Sequence, residues 1–194
     1  MIYCIEGVHL TEEEIGKGET EPTVEPMLAL LRRSGYWNGY LHRTCATMDE
    51  LRYRLLNEWQ GFPYGSILYF STHGAPNQIW LRPETEVVQI QMIGAWEVDL
   101  TDCHVHFGGC DTFGKGSGDL RELMDATRAS SVSGYAAESD WLTGPPAVAL
   151  ELVLFALLSE VDLAANDGRD TELKRINTQI NKRLPDCHFR MLVR

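Results

Sequence analysis

Short apolar runs, too brief for buried helices, set the limits on what this chain can become. Ser66–Ser71 (SILYFS) reads as a strand buried on both faces, and Cys103–Phe107 is the next of that kind. Ile2–Glu6, Tyr40–Thr44 and Ser131–Tyr135 add further strands. Helical patterns fall between them. Pro26 opens one through Leu28, Leu30 and Leu31, which Gly35 ends. Thr47 and Glu50 have capping-box spacing ahead of Leu51, Leu55 and Trp59, and Gly61 closes that helix. Asp119–Thr127 reads as a helix, Pro145 opens another to about Leu158, and Asp170 caps a last one carrying Leu173, Ile176 and Ile180. Gln78–Leu81 and Val87–Ile93 read as a side hairpin, and Thr11–Glu21 as a polar loop. Alternating strands and helices predict an α/β fold of three layers: a mainly parallel central sheet with helices on both faces.

The chain has 194 residues and no long linker or internal repeat, so a single domain over 1–194 is expected. A charged fraction of 23% beside a hydrophobic fraction of 44% is an ordinary globular balance. Lys and Arg number 17 and Asp and Glu 28, giving a net charge of −11. Such a surface repels phosphate backbones, which argues against general nucleic-acid or anionic-membrane binding. The longest apolar stretch, Ala147–Leu158, is interrupted by Glu151 and is too short to span a bilayer, so it reads as a core helix. The N-terminal residues lack the basic, then apolar, pattern of a signal peptide. Five widely spaced cysteines without a CxxC argue for reduced thiols and a cytoplasmic setting.

His73 and Cys110 carry the chemistry. Each follows a buried strand, and each sits in a glycine-containing turn. Residues just past the carboxyl ends of parallel strands converge on one crevice. A thiol with a pKa near 8.5 is only slightly ionised at neutral pH, and an adjacent imidazole both stabilises the thiolate and returns the proton to a leaving amine. Backbone amides around Gly74, Gly109 and Cys110 are placed to receive an oxyanion.

The blocks ILYFSTHG and CHVHFGGCD resemble the two signature blocks of caspase-like (clan CD) cysteine peptidases, with the bacterial CHAT type the nearest variant. In that type a strand ends in His-Gly, a short hairpin follows, a later strand ends in the nucleophilic Cys, and a helix and a further strand come next. The resemblance covers roughly Ser66–Leu158. It implies a caspase-like sandwich, His73 as acid and base, Cys110 as nucleophile and Gly74 in the oxyanion region. It also implies an endopeptidase working through an acyl-enzyme on a protein or peptide, with no cofactor or metal. By the same analogy the setting is a bacterial stress or defence pathway, with control left to a separate partner protein. Asp140, in the loop after the strand Ser131–Tyr135, resembles the acid that selects Arg or Lys substrates in several such peptidases. Asp111 and Trp141 are further pocket residues.

The cysteine lies in GGCDT, neither the caspase QACRG nor the Ser-Ala-Cys form of CHAT domains. That departure supports the rival expectation, a non-catalytic interaction or signalling module on the same scaffold; another thiol-dependent hydrolase or transferase is a third. Cys103, His104, His106 and Cys110 suggest zinc by residue type. Strand alternation puts His104 and His106 on one face and Cys103 on the other, so the histidines are expected to pack beneath helices.

Overall fold

A computed structural model of the chain describes residues 1–17, 22–83, 85–113, 118–136, 145–165 and 167–194. The elements run β1 (Ile2–Glu6), α1 (Glu12–Gly16), α2 (Glu25–Arg33), β2 (Tyr40–Thr44), α3 (Met48–Tyr53), β3 (Ile67–Ser71), β4 (His73–Ala75), β5 (Gln78–Arg82) and β6 (Glu86–Gln89). They continue α4 (Ile90–Ala95), β7 (His104–Phe107), α5 (Gly118–Thr127), β8 (Ser131–Tyr135), α6 (Pro145–Leu158), α7 (Arg169–Arg183) and β9 (Phe189–Val193). Six strands form one sheet in the order β2-β1-β3-β7-β8-β9, and β4-β5-β6 form a small second sheet. Every pairing in the large sheet is parallel except that of β9 with β8.

Strand alternation builds two cores. Tyr3, Ile5, Leu68, Phe70, Val105 and Phe107 face one way and pack with Leu51 of α3, Ile90 and Ile93 of α4, and Leu120, Leu123 and Met124 of α5. Ile2, Cys4, Ile67 and Tyr69 face the other way, toward Leu28 and Leu31 of α2, Leu154 and Phe155 of α6, and Leu173 and Ile176 of α7. The expected mixed α/β architecture, with a mostly parallel sheet between helical layers, is the one observed.

Several local expectations hold for the physical reasons given. Thr47 Oγ1 accepts the Glu50 amide at 3.2 Å, while the Glu50 carboxylate accepts the Thr47 amide at 3.2 Å, closing the capping box. After α3 the chain runs through a π-helical turn at Arg54–Glu58 and a 3-10 turn at Trp59–Gly61, and Leu51, Leu55 and Trp59 are all buried.

Other expectations are corrected. Only Glu86–Gln89 of the second hairpin arm is strand; Ile90 begins α4, whose Ile90 and Ile93 are buried one turn apart. The polar loop near the N-terminus contains the short helix α1. The cap of α7 is Gly168 at φ 82°, so Asp170 lies in the first turn, where its charge still complements the helix dipole. The last strand, β9, was not expected at all.

Candidate functional site

Three adjacent parallel strands place the site. β1 ends in Glu6, β3 ends in Ser71 and leads into Thr72 and His73, and β7 leads into Gly108, Gly109 and Cys110. The ladder continues just past the strands: the Gly7 amide donates to the Ser71 carbonyl at 2.9 Å, and the Gly108 amide to the Phe70 carbonyl at 2.8 Å. After β1 the chain enters α2 in one core, and after β3 it reaches α4 in the other. Such a divergence opens a crevice at the carboxyl ends of the strands. A cleft of about 350 Å³ lies there, and Cys110, His73 and Gly109 all line it.

The two loops meet backbone to backbone. A Cβ at Gly74 would stand 2.5 Å from the Cys110 carbonyl oxygen, and one at Gly109 would stand 2.8 Å from the Thr72 oxygen and 2.9 Å from the Gly74 nitrogen. Only glycine allows that approach. The short strand β4, paired to β5, fixes the His73 end of this contact. Thr112 fixes the other, donating its hydroxyl to the Gly109 carbonyl at 3.0 Å while its own carbonyl accepts the Asn77 amide at 3.1 Å.

His73 is exposed, with Nε2 3.3 Å from the His9 carbonyl oxygen and the His9 ring edge-on at 5.1 Å between centroids. With Nε2 donating to that carbonyl, Nδ1 is left as the nitrogen able to take a proton. The five thiols differ sharply. Burial pushes the Cys4 thiol well above its ordinary value, with Glu6 and Glu151 adding to the effect. Burial likewise raises Cys45 to about 12 and Cys103 to about 11, and it raises Cys187. Those four are buried, whereas Cys110 is half-buried in the cleft wall.

Gly74 backs the loop contact without lining the cleft. Asp111 also lies away from the cleft lining; it holds φ 64°, and its Oδ1 is buried without a hydrogen-bond partner among the described residues. Asp140 and Trp141 lie outside the described residues. His104 is wholly buried, with Nδ1 2.7 Å from Ser131 Oγ and Nε2 2.7 Å from Ser133 Oγ; burial pushes its pKa down to about 3. His106 Nδ1 also meets Ser133 Oγ, at 2.8 Å. Both rings sit beneath the helical layer as expected, and no cluster of three or more metal-binding side chains occurs among the described residues.

Two cleft residues were not singled out as functional from the sequence. Glu6 is buried, yet its carboxylate accepts the Thr23 hydroxyl at 2.7 Å and the Val24 amide at 2.8 Å, and lies 2.6 Å from His42 Nε2. Burial opposes its ionisation, but these partners, His42 foremost, hold its carboxyl below the usual range. Glu151 projects from α6, only 3% exposed, and accepts the Tyr69 hydroxyl at 2.5 Å. Its Oε1 reaches the Gly108 backbone so closely that a Cβ there would stand 2.5 Å away. The signal for Glu151 was present: it is the one charge inside a fourteen-residue apolar helix.

At the carboxyl ends of the parallel strands, a thiol, two imidazoles and two buried carboxylates, one of them from α6, line one cleft. The chain belongs to a family of unknown function (DUF6642), whose family model matches residues 1–170. No curated protein matches the sequence. No helix among the described residues is long and apolar enough to cross a membrane.

Proposed function

We propose that this protein is a cysteine endopeptidase of caspase-like, CHAT-type architecture. One observation carries the reading: of five thiols, the one that lines the cleft shares it with an imidazole on the adjacent strand end. Cys110 Sγ attacks the peptide carbonyl as its proton passes to His73. The amides around Gly109 and Cys110 receive the oxyanion, with Gly74 backing that loop. His73 then protonates the leaving amine, leaving an acyl-enzyme on Cys110. Water loses a proton to His73, attacks the acyl carbon and releases the carboxylic acid, which restores the thiol. The His9 carbonyl orients the imidazole for both transfers. The substrate is a protein or peptide, no cofactor or metal takes part, and a separate partner protein controls the activity, in a bacterial stress or defence pathway. Arg or Lys selection through Asp140 belongs to the same proposal.

Covalent labelling with peptide electrophiles tests it. Wild type takes up one equivalent at Cys110, located by peptide mass mapping, and Cys110→Ala takes up none. His73→Ala slows labelling by about 10²–10⁴-fold, the usual size of an acid-base contribution. Equal labelling of wild type and Cys110→Ala overturns the reading. It would favour the non-catalytic signalling module, to which the GGCDT sequence gives independent support.

A further inference from the structure

We infer that a second copy of this chain docks on the outer face of α6, with the two α6 helices antiparallel about a two-fold axis. The inference stands apart from the peptidase reading and uses none of its residues.

A surface helix is normally apolar on one side and polar on the other. α7 follows that rule: Leu173, Ile176 and Ile180 are buried, while Lys174, Arg175 and Thr178 are exposed. α6 does not. Its inner side buries Leu150, Leu154, Phe155 and Leu158 in the core. Its outer side carries Val148, Ala149, Leu152, Val153, Ala156 and Leu157, with no charge among them. Val148 and Val153 are 38% and 42% exposed, and Leu30 on the neighbouring α2 is 50% exposed. A helix apolar all round belongs in an interior, and such a patch on a surface marks a contact.

The order of the six outer residues points to the occupant. Read from either end it is nearly the same: Val148 matches Leu157, Ala149 matches Ala156, and Leu152 matches Val153. A two-fold contact requires that self-complementarity. With α6 antiparallel to its copy, branched residues meet branched residues and alanines meet alanines. The small pairs let the two helices approach closely.

The flanks fit the same axis. α2 packs on the β2 side of α6 and α7 on the β9 side, so three helices form one layer. The axis that reverses α6 also sets α7 antiparallel to its copy. α7 is acidic where it starts, at Asp170 and Glu172, and basic where it ends, at Lys182 and Arg183. Each acidic end then faces a basic end across the axis, a charge match that fixes register. A standard interface buries about 800 Å² per partner, more than one helix face supplies. A second copy brings the whole layer, whereas a single docked helix would not.

Analytical ultracentrifugation tests the assignment. Wild type at micromolar concentration is expected to sediment with twice the 21.9 kDa of one chain. Val153→Glu brings two carboxylates together beside the axis and is expected to weaken association at least about 100-fold. Val153 is exposed, so the variant should keep its fold, checked by circular dichroism. Glu172→Lys is expected to weaken association about fivefold, and adding Lys182→Glu to restore it. A cysteine experiment reads the register without disrupting the face. Ala149→Cys mixed with Ala156→Cys is expected to form a disulfide between the two variants on oxidation, located by peptide mass mapping. Ala149→Cys alone forms none, because its two copies stand about 10 Å apart along the helices, beyond disulfide reach. A single-chain mass at every concentration, an undiminished dimer in Val153→Glu, no recovery in the double charge exchange, or a disulfide in Ala149→Cys alone each overturn the assignment.

Discussion

One face of the central sheet presents Tyr3, Leu68, Phe70, Val105 and Phe107 to α3, α4 and α5. The opposite face carries Tyr69, His104, His106, Ser131 and Ser133, with Glu151 descending on them from α6. Both faces are equally closed to solvent, yet the first interior is almost purely apolar and the second holds a hydrogen-bonded polar chain. Buried polar groups are costly and are kept only when satisfied or used. A second hydrogen-bonded group on this face, Tyr69 with Glu151, lines the cleft, so the costlier face is the one that serves the site.

The contrast can be broken by substitution. The largest effect belongs to the apolar face: Phe70→Ala, which removes a ring stacked 5.1 Å from Phe107, is expected to cost about 3–5 kcal/mol in urea unfolding. A cost below about 1 kcal/mol there would mean that this face does not hold the fold. Next, Tyr69→Phe keeps the ring and strips the donor from Glu151, so a loss of about 1–3 kcal/mol is expected from a single oxygen. An unchanged urea midpoint would show that the carboxylate has replaced that donor.

The smallest effect is a pH slope. His104 stays neutral in the native state, its pKa lowered by burial from 6.5 to about 3. The unfolded chain therefore binds a proton below pH 6.5 that the native chain refuses. Stability falls as pH drops through that window, by up to about 1.4 kcal/mol per pH unit from this ring. His104→Gln should flatten its share of the slope between pH 6.5 and 5, whatever it does to stability at pH 8. An identical slope in the variant would show that other groups set the acid limb.

Much of the scaffold was legible because local patterns and tertiary burial agree. Tyr40–Thr44, Ser131–Tyr135 and Pro145–Leu158 have the same limits in sequence and structure. Ile90–Ile93, most of the helix Ile90–Ala95, was read as strand because Val87–Ile93 is rich in β-branched residues, a weak guide beside packing. β9 escaped because it is a partly exposed edge strand whose partner, Ser131–Tyr135, lies more than fifty residues earlier. At the site, His73 and Cys110 were legible as strand-end residues, and the cleft brings both to its lining. Glu151 left one trace, a lone charge in an apolar helix, and Glu6 none, but nothing local tells which partners, among the described residues, each carboxylate gains on folding. That difference exists only once β1, β2 and α6 have come together.

The glycine seam has a consequence for how the chain tolerates change. Gly74 and Gly109 press on each other's loops through main-chain atoms, which no rotamer adjustment can move aside. A methyl group at either position is a wedge driven between the histidine and the cysteine loops. A side chain introduced into one loop can be accommodated only where the other shifts with it, so the two short segments, though thirty-five positions apart, constrain each other.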